Sequence, residues 1–366
     1  MIQKIPFNRI SFTEEAHNQF ISICSDVLKS GCLIHGPQHK KFEHSFANYC
    51  GVDYTIGVAN GTDAIEIALR ASGIREGDEV VLQPNAGFYS STALFTIGAV
   101  PVYADINEHN LQINIDSVVR CLSPKTKAII MTHLYGKMGD VENMRNLSDR
   151  NNILLIEDCA QSHGAKFKGK KAGAWGDVST FSFYPTKNLG AIGDAGAICT
   201  SSSKIANEVG HLRQYGWSSK YNVSKIGRNS RLDEVQAAVL NYKILSLDAD
   251  NEKRRKIVKR YAKACSGNLK MIHGMHDLEY VGHLAIASHP ARDLVIDYLK
   301  HEGIETAIHY PILDHLQQCI QSFRYRKDIL INAEKTNKEI LSLPCYPTML
   351  EDEVQYICNV LSKIRL

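Results

Sequence analysis

The 366-residue chain has no excess of either charge: 42 Lys and Arg face 39 Asp and Glu, leaving a formal net charge of +3. That balance gives no electrostatic argument for nucleic acid or an anionic membrane, though it leaves room for a local basic pocket around one phosphorylated ligand. No stretch comes near the roughly 18 apolar residues of a spanning helix. The start, MIQKIPFNRISFTEEAHNQF, holds no apolar core of secretory length. A cytoplasmic protein is therefore expected. No CxxC pair occurs among the ten cysteines (Cys24, Cys32, Cys50, Cys121, Cys159, Cys199, Cys265, Cys319, Cys345 and Cys358). Several sit inside apolar runs, so reduced core cysteines are expected in place of a disulfide framework or zinc site. No HExxH or comparable ligand spacing is present, and no metal is assigned. Internal repeats and low-complexity segments are also missing.

What is present is ordinary globular composition, 44% hydrophobic and 22% charged, which excludes a disordered or collagenous chain. The length suggests roughly two domains with ample core. Between residues 53 and 245 short apolar runs alternate with helical patterns. The strand-like runs are Glu79–Leu82, Pro101–Ile106, Lys127–Met131, Ile153–Asp158, Val178–Phe183 and Gly196–Thr200. Thr62–Ser72 and Val141–Arg150 are helix-like. Continuous apolar strands separated by helices predict an α/β fold with a mostly parallel sheet covered by helices. Such sheets bind ligands beyond the carboxyl ends of their strands. Residues 215–231, YGWSSKYNVSKIGRNSR, are too polar for core and read as an ordered loop or lid. A helical pattern follows from Leu232 to about Leu247, and the charged run DNEKRRK begins another helix. This places a large domain at 1–248 and a smaller α+β domain at 249–366.

Three features fall at predicted strand ends. Ile56–Asn60 leads into Gly61-Thr62-Asp63, opening a helix whose free N–H groups could hold an anion, or whose Thr62 or Asp63 could simply cap it. ILLIED ends in Asp158, an acid at a strand mouth suited to a cation, a ribose or a protonated ring nitrogen, or else to a cap or ion pair. STFSFYPTKNLGAIGDAGAI sets Lys187 in a turn between an aromatic run and a glycine-rich one, with Ser182 five residues before it. A lysine in such a niche can act as an amine nucleophile; the alternative is an exposed turn lysine. Together a phosphate cradle, a strand-mouth acid and a niche lysine are the parts that hold pyridoxal phosphate: the lysine bonds the aldehyde, the acid keeps the pyridine nitrogen protonated, and the phosphate anchors.

With these residues in view, the chain resembles the DegT-type sugar aminotransferases, fold-type I enzymes that use pyridoxal 5'-phosphate. GVANGTDAIEIAL, IEDCAQSHGA, STFSFYPTKNLGAIGDAGAI, GRNSRLDEVQAAVL, AIHYPILDHLQ and LSLPCYP look like family motifs in family order. The resemblance implies Lys187 as the cofactor-bonding, catalytic lysine, Asp158 on the pyridine nitrogen and Gln161 near the ring hydroxyl. It implies Gly61, Thr62 and Ser182 on the phosphate. Asn229 matches an asparagine that reaches the cofactor phosphate of a neighbouring subunit, so a homodimer with an interfacial site is expected. Many relatives carry a TFxAT motif whose aromatic stacks on the cofactor; PNAGFYSSTA stands here, with Tyr89 favoured as the stacking ring and Phe88 its rival. NAGFY, THLYG and LRQYGW look most like members acting on nucleotide-linked 3-keto-6-deoxyhexoses. The implied reaction moves an amino group from L-glutamate, released as 2-oxoglutarate, to a dTDP-linked 3-keto sugar; amination at C4 is the alternative. His309 and Tyr310 match a segment near the sugar cleft, which Tyr215 and Trp217 would help shape.

Three rivals are weaker. Sugar dehydratases of this fold replace the lysine by histidine. A nicotinamide-dependent enzyme requires GxGxxG after the first strand, which is missing. A non-catalytic binding or regulatory protein is disfavoured by Asp158 and Lys187 together.

Overall fold

The computed structural model describes residues 4–273 and 278–365. Its strands in chain order are β1 (Tyr54–Val58), β2 (Glu79–Leu82), β3 (Val100–Tyr103), β4 (Thr126–Thr132) and β5 (Leu154–Asp158). A small hairpin, β6 (Lys166–Phe167) and β7 (Lys170–Lys171), precedes β8 (Val178–Ser182) and β9 (Gly196–Thr200). A second hairpin, β10 (Trp217–Ser219) and β11 (Asn222–Val223), lies within the polar stretch read as a loop. β12 (Lys270–Met271), β13 (Ala285–Ser288), β14 (Arg326–Lys327) and β15 (Ile340–Leu343) complete the set.

Eight strands form the central sheet in the order β1-β9-β8-β5-β4-β2-β3-β14. Only β9 runs against the rest, antiparallel to both β8 and β1. The expected α/β class and mostly parallel sheet are therefore present. The central strands are apolar along their whole length because both faces are covered: Val80, Leu82, Ala128 and Ile130 belong to one packed layer, Val81, Ile129, Met131 and Leu155 to the other. Aromatic rings lock the second layer edge to face, with Phe46 and Phe181 4.9 Å apart and nearly perpendicular.

The expected boundary at 248/249 falls inside the continuous helix Leu247–Ala264. Beyond it, β12, β13 and β15 make an antiparallel three-stranded sheet with its own core, including Ile257, Tyr261, Ala287, Leu341 and Ile357. The later chain also returns to the central sheet, where β14 pairs in parallel with β3. Asp105 accepts from the backbone N–H groups of Asn332 and Ala333 at 3.0 and 2.9 Å, pinning the start of the helix Ile331–Glu339 there. All ten cysteines are free, six of them buried. No helix of the described residues is long and apolar enough to cross a membrane.

Candidate active site

A cavity of about 570 Å³ opens at the carboxyl ends of β1, β8 and β5. After β1 the chain turns into the helix Gly61–Ala71, whose cap is Asn60 and not Thr62 or Asp63: Asn60 Oδ1 accepts from Asp63 N–H at 2.8 Å. The N–H groups of Gly61 and Thr62 lie in the helix's first turn, where no intrahelical acceptor reaches them, and both residues line the cavity. Ser182, the last residue of β8, lines it too. Helix and strand end approach so closely that a Cβ on Gly61 would stand 2.7 Å from Ser182 Cβ. Glycine is therefore required for this cradle. N–H groups, two hydroxyls and a positive helix end suit a phosphate.

Lys187 sits in the loop that leaves β8 and returns as β9. Phe183 N–H donates to Ala195 O at 2.8 Å and Ala191 N–H to Phe183 O at 2.7 Å, closing the loop's neck. Lys187 N–H donates to Tyr184 O at 2.8 Å. Gly190 packs where a Cβ would meet Pro185 O at 2.4 Å. Phe181, Phe183 and His163 are fully buried under this loop. Burial lowers the Lys187 ammonium to about 8, against the opposing pull of Asp158. This is the niche lysine expected from the sequence, not an exposed one.

Asp158 ends β5 and is buried, lining the same cavity. Burial pushes its carboxyl above the ordinary range, and the Ala160 N–H (3.1 Å), Lys187 and the Thr132 hydroxyl (3.2 Å) offset this only in part. Gln161 is fixed at both ends: its Oε1 accepts from Tyr135 N–H at 2.6 Å and its Nε2 donates to Tyr310 Oη at 3.1 Å. Tyr135 in turn donates its hydroxyl to His309 O at 2.7 Å. His309 and Tyr310 line the cavity. His309 is lowered to about 4 by burial and then by Lys187, so its ring is neutral near pH 7.

The rivalry between the two aromatics has a geometric outcome. Tyr89 opens the helix Tyr89–Thr96, lines the cavity and meets Tyr310 edge-on at 6.0 Å. Phe88 is placed elsewhere: its left-handed backbone (φ 70°) turns the ring away to pack with Phe95, while its N–H donates to Asp314 at 2.9 Å. Tyr215 and Trp217 also lie outside this cavity; they pack on each other at 5.3 Å where the chain enters β10. Asn229 is exposed and lines a shallower depression of about 350 Å³, which shares Asp194 with the main cavity.

Sequence reading missed Arg254, His283 and Tyr184, which line the cavity. His283 gives no local signal. Arg254 had one: Asn251, Arg254, Ile257, Val258 and Tyr261 recur at helical spacing and all are buried, so the charged run has an inner face.

The match to known proteins is broad. Residues 14–362 match the model of the DegT/DnrJ/EryC1/StrS aminotransferase family. The chain belongs to that family. A relative named "Pleiotropic regulatory protein" from Geobacillus stearothermophilus is 38% identical over 96% of this chain and 95% of its own. The dTDP-3-amino-3,6-dideoxy-alpha-D-galactopyranose transaminase of Aneurinibacillus thermoaerophilus is 39% identical over 92% of this chain and 93% of its own. The crystal structure of S. venezuelae DesV in complex with a ketimine intermediate superposes with a TM-score of 0.94 at 34% identity, covering 98% of each chain.

As a DegT/DnrJ/EryC1/StrS aminotransferase the chain uses pyridoxal phosphate, and its residues fit that group. The Gly61 cradle excludes even a methyl, its N–H groups await an anion, and Lys187 and Asp158 lie within electrostatic reach of each other. When bound, the cofactor supplies an electron sink for negative charge at the carbon bearing the exchanged amine.

Proposed function

We propose that this enzyme transfers an amino group from L-glutamate to a nucleotide-linked, dTDP-bearing 3-keto-6-deoxyhexose, giving a 3-amino-3,6-dideoxyhexose and 2-oxoglutarate. The carrying observation is the half-buried Lys187 near Asp158 at the cavity wall, facing a cradle built for phosphate. The Aneurinibacillus relative's name supports the choice of sugar. A lysine at about 8 gives up and regains a proton near neutral pH, as a general base and acid must. In this reading Lys187 Nζ shuttles the proton, and Asp158 holds positive charge at the ring nitrogen. Gly61, Thr62 and Ser182 grip the phosphate. Gln161 meets the ring hydroxyl, and Tyr89 forms the stacking wall. Ile65, Leu284 and Leu343 exclude water, while His309 and Tyr310 contact the sugar.

Two copies are proposed to complete the site. Asn229 lies outside its own main cavity and is exposed, as a residue serving a partner's cofactor phosphate would be. The exposed Tyr215 and Tyr221 of the same region would face that partner.

The name of the Geobacillus relative favours a second, regulatory reading. A regulator, however, has no use for a desolvated lysine beside a buried acid. The experiment is incubation with L-glutamate and a panel of 3-keto and 4-keto nucleotide sugars, with products identified by mass and NMR. Amination at C3 is expected. A product aminated only at C4 overturns the sugar assignment, and no product with any sugar favours the regulator.

A further inference from the structure

The most buried arginine of the described residues has no acidic partner. Arg254, 7% exposed, is held on the inner face of the helix Leu247–Ala264 and lines the cavity with Lys187. One guanidinium N–H donates to Cys345 O at 2.6 Å. No carboxylate of the described residues lies within 4.0 Å of it. Arginines of comparable shelter are paired: Arg145 with Asp149 and Asp177 at 2.7 and 3.0 Å, Arg213 with Glu43 at 2.7 Å. Asp250, one turn earlier on the helix, is engaged by Lys253 Nζ at 3.0 Å and Ser246 Oγ at 3.3 Å. A buried cation without a counter-charge is costly, and a ligand anion recovers that cost.

Building on the aminotransferase reading above, we propose that Arg254 binds a carboxylate of the amino donor. The planar fork matches two carboxylate oxygens, and five N–H groups leave donors to spare after the Cys345 bond. The cofactor phosphate already has its own cradle at Gly61, Thr62 and Ser182. A nucleotide diphosphate needs the cavity's open side, where Tyr184 and Tyr89 are 51% and 48% exposed; Arg254 is far more sheltered. The neighbouring bases do not compete for the role. His283 is held well below its ordinary pKa by burial and then by Lys187, with its Nδ1–H on Asn188 Oδ1 at 2.9 Å, so it is neutral.

The test compares the two half-reactions in Arg254→Met and Arg254→Lys, followed by cofactor absorbance in single turnovers. It adds calorimetric titration of the resting enzyme with glutarate, a dicarboxylate that cannot react. In Arg254→Met the efficiency of the L-glutamate half-reaction should fall about tenfold to a hundredfold, the range for a lost charge-assisted hydrogen bond. Glutarate binding should weaken in parallel, and the amine-form enzyme should consume keto sugar within about threefold of the unaltered rate. Arg254→Lys, which keeps charge but not the fork, should fall between and serves as the deciding variant if Arg254→Met folds poorly. Equal losses in both halves, a loss confined to the sugar half, or unchanged glutarate affinity would each overturn the proposal. An unaltered enzyme that binds glutarate through Arg254 yet aminates no sugar would instead refute the sugar reading and leave this one standing.

Discussion

Glu157 and Asp158 are consecutive on β5, so their side chains leave the sheet on opposite faces. Both are buried. Glu157 is saturated: it accepts from the N–H groups of Gly173, Trp175 and Gly176 at 3.0, 2.7 and 2.7 Å, and pairs with His133 Nε2 at 2.9 Å. Burial alone would raise its pKa, but the His133 ring and those amides outweigh it and hold the carboxyl below its usual value. Asp158 has two weaker donors and an open cavity, and burial wins. One strand thus carries a carboxylate consumed by architecture and one kept short of partners for a ligand. The cluster of His133, Glu157 and Cys159 has metal-like proximity, yet Glu157 already spends its oxygens on four donors, and Cys159 is pushed well above the ordinary thiol range by burial. It is a structural knot.

The largest expected effect lies on the cavity side. Lys187→Ala should lose the visible cofactor band and at least about 10³-fold in turnover, since in the proposed reading the nucleophile and the proton carrier vanish together. Glu157→Gln should keep the band. A Lys187→Ala protein retaining both band and turnover would dismantle the site as described.

The two carboxylates should then part in opposite directions. Asp158→Asn should lose about a hundredfold or more in turnover, as when a charge-stabilising group is removed, with no loss of stability in the cofactor-free protein at pH 7. Glu157→Gln should destabilise by about 2–4 kcal/mol at pH 7 through its stranded donors. The signs follow from linkage. Glu157, depressed on folding, contributes stability present above its unfolded value near about 4.3 and lost as pH falls through the folded value. Asp158, raised on folding, contributes only below its unfolded value of about 3.9, and that contribution is lost as pH rises through the folded value. Denaturant melts of both variants at pH 7 and near pH 4 check this: the Glu157→Gln deficit should shrink in acid. A deficit larger in Asp158→Asn would reverse the comparison.

Much of this was legible in the sequence, for physical reasons. The runs at Glu79–Leu82 and Gly196–Thr200 were recognisable because strands covered on both faces must be apolar throughout, and both match the observed bounds. Asp158 stood out as an acid closing such a run. Glu157, its neighbour, did not, because its partners at Gly173 to Gly176 come from a turn that no periodicity announces. Arg254 hid in a charged run whose composition suggests a solvated face, and only the buried spacing from Asn251 to Tyr261 betrays it. Asn60 was overlooked as the cap because Thr62 and Asp63 are equally good capping types, and only backbone geometry selects the residue before the first turn. Phe88 and Tyr89 are equivalent as hydrophobic letters; one left-handed residue decides which ring faces the cavity.

A smaller effect probes the cradle. Gly61→Ala forces a methyl against Ser182 Cβ, so strand end and helix start must separate. Cofactor affinity should fall about tenfold, in line with a 1–3 kcal/mol overpacking cost, while the sealed face around Glu157 is untouched. Equilibrium dialysis against pyridoxal phosphate measures it; unchanged affinity would move the phosphate elsewhere.

The smallest effect is a titration. In the cofactor-free protein Lys187 sits at about 8 because burial disfavours its charge, and Asp158 pulls the other way. Pulse labelling with an amine-reactive ester, quantified on the peptide bearing Lys187, should therefore show reactivity rising with a midpoint near pH 8, well below the 10.5 of an ordinary lysine. Asp158→Asn removes the one charge that holds the proton on, so the midpoint should move further down, by less than about one unit for a partner that is only a secondary influence. Glu157→Gln, on the far side of the sheet, should leave it in place. A midpoint that rises in Asp158→Asn, or moves equally in both variants, would mean that the lysine senses the whole strand end and that the two faces are not electrically separate.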